Sequence, residues 1–387
     1  MLTQVCGDGL TLTITPYQDG MLRVQAQGYD GPIESLLERY GFVNALPVEE
    51  AAQVTGQTVT LPGGVALELG DGGWRLLRDG AELAVAHPTT RVATASTVYR
   101  NQGYQLDLRM APGEKFIGFG DQTRTQFLLN GQRDALWVRY PVKHVPVPFF
   151  MSSHGYGIFF NTTRKLHFDV GASDPNVASF TVAKDFLDLY IITGDNYDEM
   201  IEKYTRLTGR PALPPLKSFG LWLLFHSRAT GHDVLAIAKM LRDQGIACDN
   251  LSLEPHWMEK TYDYTVNKEW NAERFRGCPA EVSYRAGADF MIHALNRMGY
   301  DLGLWLCSRW DFTWEEERRL ALAAPAEAAD AGPGLAGLEI SHVDENVGHL
   351  PELMDTNTVR DQAWFEHLKK FVKDGVRFFK MDPAVLI

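Results

Sequence analysis

Lys380 and Asp382 stand two residues apart at the end of the stretch VRFFKMDP, residues 376–383. Alternation along a strand puts both on one face, where a neighbouring ammonium favours the ionised carboxylate. A carboxylate held at a strand end can attack an anomeric carbon and form a covalent glycosyl intermediate. The same residue type also serves there as a helix N-cap or a solvated strand end. Glycosyl transfer through such an intermediate needs a second carboxyl group about 5 to 5.5 Å away to protonate the leaving oxygen. Glu254 and Asp311, at neighbouring expected strand ends, are the available candidates. Binding a hydroxyl or supporting another side chain is the simpler role for both.

Tryptophans surround these positions in sequence. Trp222 reads as core, whereas Trp257, Trp305 and Trp310 fall at or just after strand ends, where an indole face can stack on a sugar ring; Tyr262 and Trp270 follow in a loop. Arg228 and Arg309 can orient hydroxyls or pair with carboxylates. His226, His256 and His293 lack metal-ligand spacing and read as structural, and Cys6, Cys248, Cys278 and Cys307 read as buried thiols without paired spacing. The pattern calls for no metal and no cofactor.

The elements that must position these residues repeat one grammar: apolar helix, glycine, apolar strand, polar residue. Strands are expected over 219–225, 246–253, 300–307 and 376–383. Asp233 is expected to open the first helix, whose Val234, Ile237, Ala238 and Leu241 share a face; further helices are expected near 284–298 and 359–373. Right-handed strand–helix–strand units with polar strand ends fit a doubly wound sheet or a (β/α) barrel, and no glycine-rich phosphate loop follows the first strand. Four such units are the first half of a TIM (β/α)8 barrel, assigned to residues 217–387, with an insertion near 312–350 that is rich in Ala, Gly and Pro. Residues 1–195 instead carry short β-rich runs at 10–15, 21–25, 57–61, 65–69, 74–77, 105–110, 156–161, 167–170 and 187–192, the mark of an antiparallel β-sandwich. Between the two, Asp195 or Asn196 caps a helix through Leu207, and Gly209, Pro211, Pro214 and Pro215 make residues 196–216 a helix and Pro-rich connector.

A length of 387 residues suits two such domains. The formal net charge of -12 disfavours nucleic acid and anionic membrane as partners. The opening residues lack a basic start followed by an apolar run, and no segment is long enough to span a bilayer, so a cytoplasmic location is expected. Composition leaves the oligomeric state open.

The chain resembles glycoside hydrolase family 31, the retaining α-glycosidases. The resemblance is carried by FIGFGDQ (116–122), VPFFMSSHGYGIFFN (147–161), YTRLTGRPALPP (204–215), FGLWL (219–223), Trp257–Met258, LGLWL (302–306), DTNT (355–358) and FFKMD (378–382), in family order. It implies an N-terminal sandwich joined to a (β/α) barrel, Asp382 as nucleophile, Lys380 as the motif lysine and Trp305 as a pocket aromatic. It also implies that Glu254 stands where many members have an aspartate binding outer hydroxyls of the sugar. That departure points to an α-galactoside-type substrate, with α-glucosidase and α-xylosidase as alternatives, and a small-molecule or oligosaccharide substrate in each case. Pro383 and Ala384 replace the glycine and glutamate that often follow the nucleophile. The family's acid/base aspartate belongs to a later barrel strand, so this chain by itself is expected to have no useful turnover. A non-catalytic carbohydrate-binding protein is the reading from another class.

Overall fold

The computed structural model describes residues 2–5, 11–27, 35–39, 41–70, 72–91, 103–121, 126–136, 145–163, 166–182, 187–260, 268–275, 288–308 and 368–383. The chain divides into two compact units at Pro211/Ala212.

The first unit begins with β1 (Leu2–Val5), β2 (Thr11–Tyr17), β3 (Met21–Gln27), the one-turn helix α1 (Leu36–Arg39), β4 (Gln53–Thr55), β5 (Thr58–Thr60), β6 (Val65–Gly70), β7 (Gly73–Arg78) and β8 (Ala81–Arg91). It continues with β9 (Gly103–Arg109), β10 (Phe116–Gly120), β11 (Gln132–Leu136), β12 (Pro146–Ser152), β13 (Tyr156–Phe160), β14 (Leu166–Val170), β15 (Val177–Val182), β16 (Asp188–Thr193) and α2 (Tyr197–Thr208). The strands form two antiparallel sheets, ordered β1-β2-β3-β16-β13-β12-β10 and β11-β14-β15-β9-β8-β7-β6-β5-β4. Alternate residues such as Leu12, Ile14, Leu67 and Leu106 come from both sheets into one buried cluster, as expected of a sandwich. Strands β13 and β16 are buried on both faces, because Met200 and Leu207 of α2 join Met21, Phe159, Tyr190 and Ile192 in a second cluster. Asn196 caps α2, its Oδ1 accepting from the Glu199 N–H at 2.9 Å. The helix thus packs with the sandwich.

Strand β10 hides the glycines of FIGFG behind a bulge between Gly118 and Gly120. Gly118 has φ +133°, and a Cβ there would come within 2.6 Å of the Phe149 carbonyl oxygen. Phe119 takes φ +65° and buries its ring against Phe150, Phe168 and Phe180. Core packing holds a conformation that a bulky residue otherwise avoids.

The second unit carries β17 (Trp222–Phe225), α3 (Gly231–Asp243), β18 (Asn250–Leu253), α4 (Ala288–Arg297), β19 (Asp301–Ser308), α5 (Lys369–Asp374) and β20 (Phe378–Pro383). The strands pair in parallel in chain order, a partial TIM-barrel sheet. Leu251, Leu253, Leu302, Leu304 and Leu306 join Val234, Ala238, Leu241, Ile292, Leu295 and Phe371 of the helices in one core. Arg242 ties α3 to the turns before two strands: its Nε donates to the Met298 carbonyl at 2.9 Å and its Nη1 to the Cys248 carbonyl at 2.8 Å, with the guanidinium over the Tyr300 ring.

Several expectations need correction. The first strand starts only at Trp222, because residues Leu216–Phe219 form a 3-10 turn. The second starts at Asn250, since residues 246–249 are not strand. Thr230, not Asp233, is the N-cap of α3; Asp233 is the third helical residue and completes a capping box with Thr230. Trp222, expected in the core, is 37% exposed because it lies on the sheet face away from the helices, its ring against Phe378 at 4.3 Å. The expected helix starts at 284 and 359, the insertion near 312–350, Cys6 and Cys278 lie outside the described residues.

Candidate active site

The parallel registers fix a row of positions across the sheet. Leu253 pairs with Leu304, and Leu304 with Phe379, so position 254, just beyond β18, is level with Trp305 and Lys380, which pair with each other. Asp382 pairs with Cys307 one step further toward the C-terminal end. By alternation positions 380 and 382 share a face. The backbone thus gathers Glu254, Trp305, Lys380 and Asp382 at the strand ends where a parallel barrel keeps its chemistry.

Within that row the Lys380 ammonium donates to Glu254 Oε1 at 3.0 Å, although β19 runs between their strands. The two side chains are 34% and 25% exposed, so solvent still reaches the pair. One row deeper, Ser252 is buried and its Oγ makes no hydrogen bond to the described residues. The sequence offered no signal for Ser252, a hydroxyl inside an otherwise apolar strand.

The aromatic platform expected at this end takes another form. Trp257 is 1% exposed: it sits on the 3-10 turn Pro255–Trp257 and folds back against Trp270 and Phe371, with ring centroids 5.2 and 4.9 Å apart. Its Nε1–H donates to the Trp305 carbonyl at 2.8 Å, tying the end of β19 to the turn after β18. Trp305 is itself 4% exposed and belongs to the core cluster. Neither indole presents an open face for a sugar ring, a correction to the stacking role that their place at strand ends implied. Trp270 turns the same way, its Nε1–H donating to Asp374 Oδ2 at 3.2 Å.

Arg309, Trp310, Asp311 and Tyr262 lie outside the described residues. Arg228 and His226 are exposed on the turn after β17, where His226 Nδ1 accepts from the Arg228 N–H at 3.1 Å. His293 is exposed on α4 and His256 half-buried beside Trp257. Among the described residues no three His, Cys, Asp or Glu side chains are grouped to hold a metal ion. No helix among them is long and apolar enough to cross a membrane. Cys248 is a buried free thiol whose pKa burial pushes up, which makes it inert rather than nucleophilic.

Comparison with known proteins agrees with this geometry. Residues 11–169 match the glycosyl hydrolase 31 N-terminal galactose mutarotase-like domain, and residues 211–386 match the glycosyl hydrolases family 31 TIM-barrel domain. An α-xylosidase of Emericella nidulans is 29% identical over 216 residues, covering 54% of this chain and 26% of that protein. The α-xylosidase XylQ of Lactiplantibacillus pentosus is 27% identical over 280 residues, covering 68% of this chain and 35% of that protein. Among solved structures, the Flavobacterium johnsoniae GH31 dextranase complexed with glucose superposes with TM-score 0.69 at 16% identity, over 98% of this chain and 47% of that one. That likeness is one of fold. The chain therefore spans about a quarter to a half of the length of these proteins.

Proposed function

Because the chain belongs to glycosyl hydrolase family 31, we propose that it carries the nucleophile-bearing half of a retaining, exo-acting α-glycosidase site, with Asp382 as the nucleophile. The observation that carries this reading is the register of β19 and β20, with Asp382 opposite Cys307 and one step beyond Lys380 at the strand ends. In the proposed reaction the Asp382 carboxylate attacks the anomeric carbon as the bond to the leaving oxygen breaks, and water later releases the sugar. Protonation of the leaving oxygen falls to a carboxyl group that we do not assign to this chain.

An α-galactoside preference rested on Glu254 reaching the outer hydroxyls of the sugar. Lys380 engages that carboxylate, and two similar proteins are α-xylosidases. We therefore place α-xylosides and α-glucosides ahead of α-galactosides, with an oligosaccharide or small glycoside as the bound partner.

An activated 5-fluoroglycosyl fluoride tests the nucleophile independently of any proton donor, because fluoride departs unprotonated. Attack by Asp382 forms the C1–O bond, breaks C1–F and releases fluoride, while the second fluorine slows hydrolysis of the ester by opposing its oxocarbenium-like transition state. Intact mass is expected to show one glycosyl adduct, mapped to Asp382 and lost in Asp382→Asn, faster with the xylo or gluco reagent than the galacto. Saturable sugar binding without an adduct favours a binding protein instead.

A further inference from the structure

Resting on Asp382 as nucleophile, we propose that Trp257 is a positioning residue: its indole N–H takes the place in the sheet ladder that Pro255 cannot fill, and so holds the end of β19, on which the backbone of residue 382 is registered.

The parallel ladder sets the requirement. The Asp301 N–H donates to the Asp249 carbonyl at 2.8 Å while Asp301 is level with Asn250, so residues 301, 303 and 305 turn their backbone groups toward β18. In that slanted pattern each of their carbonyls accepts from the residue one place beyond its level partner. Trp305 is level with position 254, and the residue beyond is Pro255, which has no N–H. The indole N–H of Trp257 donates to that carbonyl instead, at 2.8 Å, adding a rung after the backbone of β18 has turned away. This rung is lost with the N–H whatever else Trp305 touches. The donor is itself held from behind: the Trp257 backbone N–H donates to the Glu254 carbonyl at 3.0 Å, and its carbonyl accepts from the Asn271 N–H at 2.8 Å. Its ring packs edge-on against Phe371 of α5, the helix that runs through Gly375 into β20. One side chain therefore engages both the strand beside β20 and the helix before it. The register of β18 with β19 ends at Leu304, whereas that of β19 with β20 continues through Cys307–Asp382. The rung from Trp257 thus stands two residues before the level of position 382, and a shift of about 1 Å at a reacting group costs up to a hundredfold in rate.

A tryptophan that only fills space and one that supplies this N–H are told apart by giving the N–H back. With the activated 5-fluoroglycosyl fluoride, Trp257→Phe, which keeps a ring and removes the donor, is expected to lower the maximal inactivation rate by at least about tenfold, with the half-saturating concentration nearly unchanged. Pro255→Ala restores a backbone N–H at the ladder position, so the double variant Pro255→Ala/Trp257→Phe is expected to react within about threefold of Pro255→Ala alone. A role in packing gives no such recovery, and its absence overturns the proposal, as does a Trp257→Phe chain that reacts at the wild-type maximal rate. If Trp257→Phe does not fold, 3-benzothienylalanine at position 257, an isostere with sulfur in place of the N–H, carries the same expectations. Amide hydrogen exchange is a readout that needs no sugar chemistry. The backbone amides of residues 305–308 and 380–382 are expected to exchange about fivefold faster without the donor, the factor for one net hydrogen bond, and to slow again in the double variant. Unchanged exchange overturns the proposal whatever the labelling result. A wild-type chain that takes no label, while exchange follows the N–H, overturns the role of Asp382 but not the rung.

Discussion

Glu114 sits in the sandwich with almost no solvent exposure. Its carboxylate accepts from the Ser152 hydroxyl, from the Tyr156 hydroxyl at 2.8 Å and from the Ala111 N–H at 2.9 Å. Those three donors make its burial tolerable. Removing the carboxylate leaves buried donors unmatched, so Glu114→Ala is expected to cost about 1–3 kcal/mol in urea unfolding. Burial and then the Glu114 charge push the Tyr156 phenol well above its ordinary range. A raised folded pKa means that stability is fully present below the unfolded value, near 10, and is lost as pH rises above it. The urea midpoint is therefore expected to fall above about pH 10, and to fall less in Tyr156→Phe. At the candidate site, Glu254 and Lys380 were both legible as polar residues at strand ends. Their pairing was not, because 126 residues separate them in sequence.

At the scale of the element, β19 shows what a strand must give up to serve its neighbours. Gly303 pairs with Phe378, and a Cβ at 303 would collide with the Phe378 ring. The missing side chain lets that ring lie across the sheet to reach Trp222 on β17, so the aromatic contact spans strands that are not hydrogen-bonded to each other. Gly303→Ala is expected to lose about 1–3 kcal/mol by overpacking and to shift the Trp222 emission, measured by thermal unfolding and fluorescence. Helix α3 was readable by its apolar spacing, yet its start was misplaced by three residues. Both Thr230 and Asp233 are capping types, and only the reciprocal bonds, Asp233 N–H to Thr230 Oγ1 and Thr230 N–H to Asp233 Oδ2, tell which one is the cap. In the sandwich, β12 and β10 escaped the sequence reading because prolines or glycines interrupt their alternation.

Across the whole molecule, the two units have separate cores, one built by facing sheets and the other by a parallel sheet and its helices. Two cores predict two calorimetric transitions rather than one. Glu114→Ala is expected to lower one of them and Gly303→Ala the other; a single transition lowered equally by both would contradict this. The units part at Pro211, and α2 belongs by its packing to the sandwich, whereas composition had grouped that helix with the prolines after it.

By itself the sequence determined the architecture and the residue types at the strand ends, because hydrophobic period, turn residues and strand-terminal polar groups are local properties. It was enough to place Asp382 and Lys380 on one strand face and Glu254 on another strand. The tertiary structure alone decided which aromatic rings are closed off and which charges meet. Trp257 is core because the turn after β18 folds back on Trp270 and Phe371, and Trp305 is buried in the same cluster. Glu254 found Lys380 because parallel pairing set their strands two spacings apart in one row. Contacts of that kind depend on register between distant segments, which no local pattern in the chain encodes.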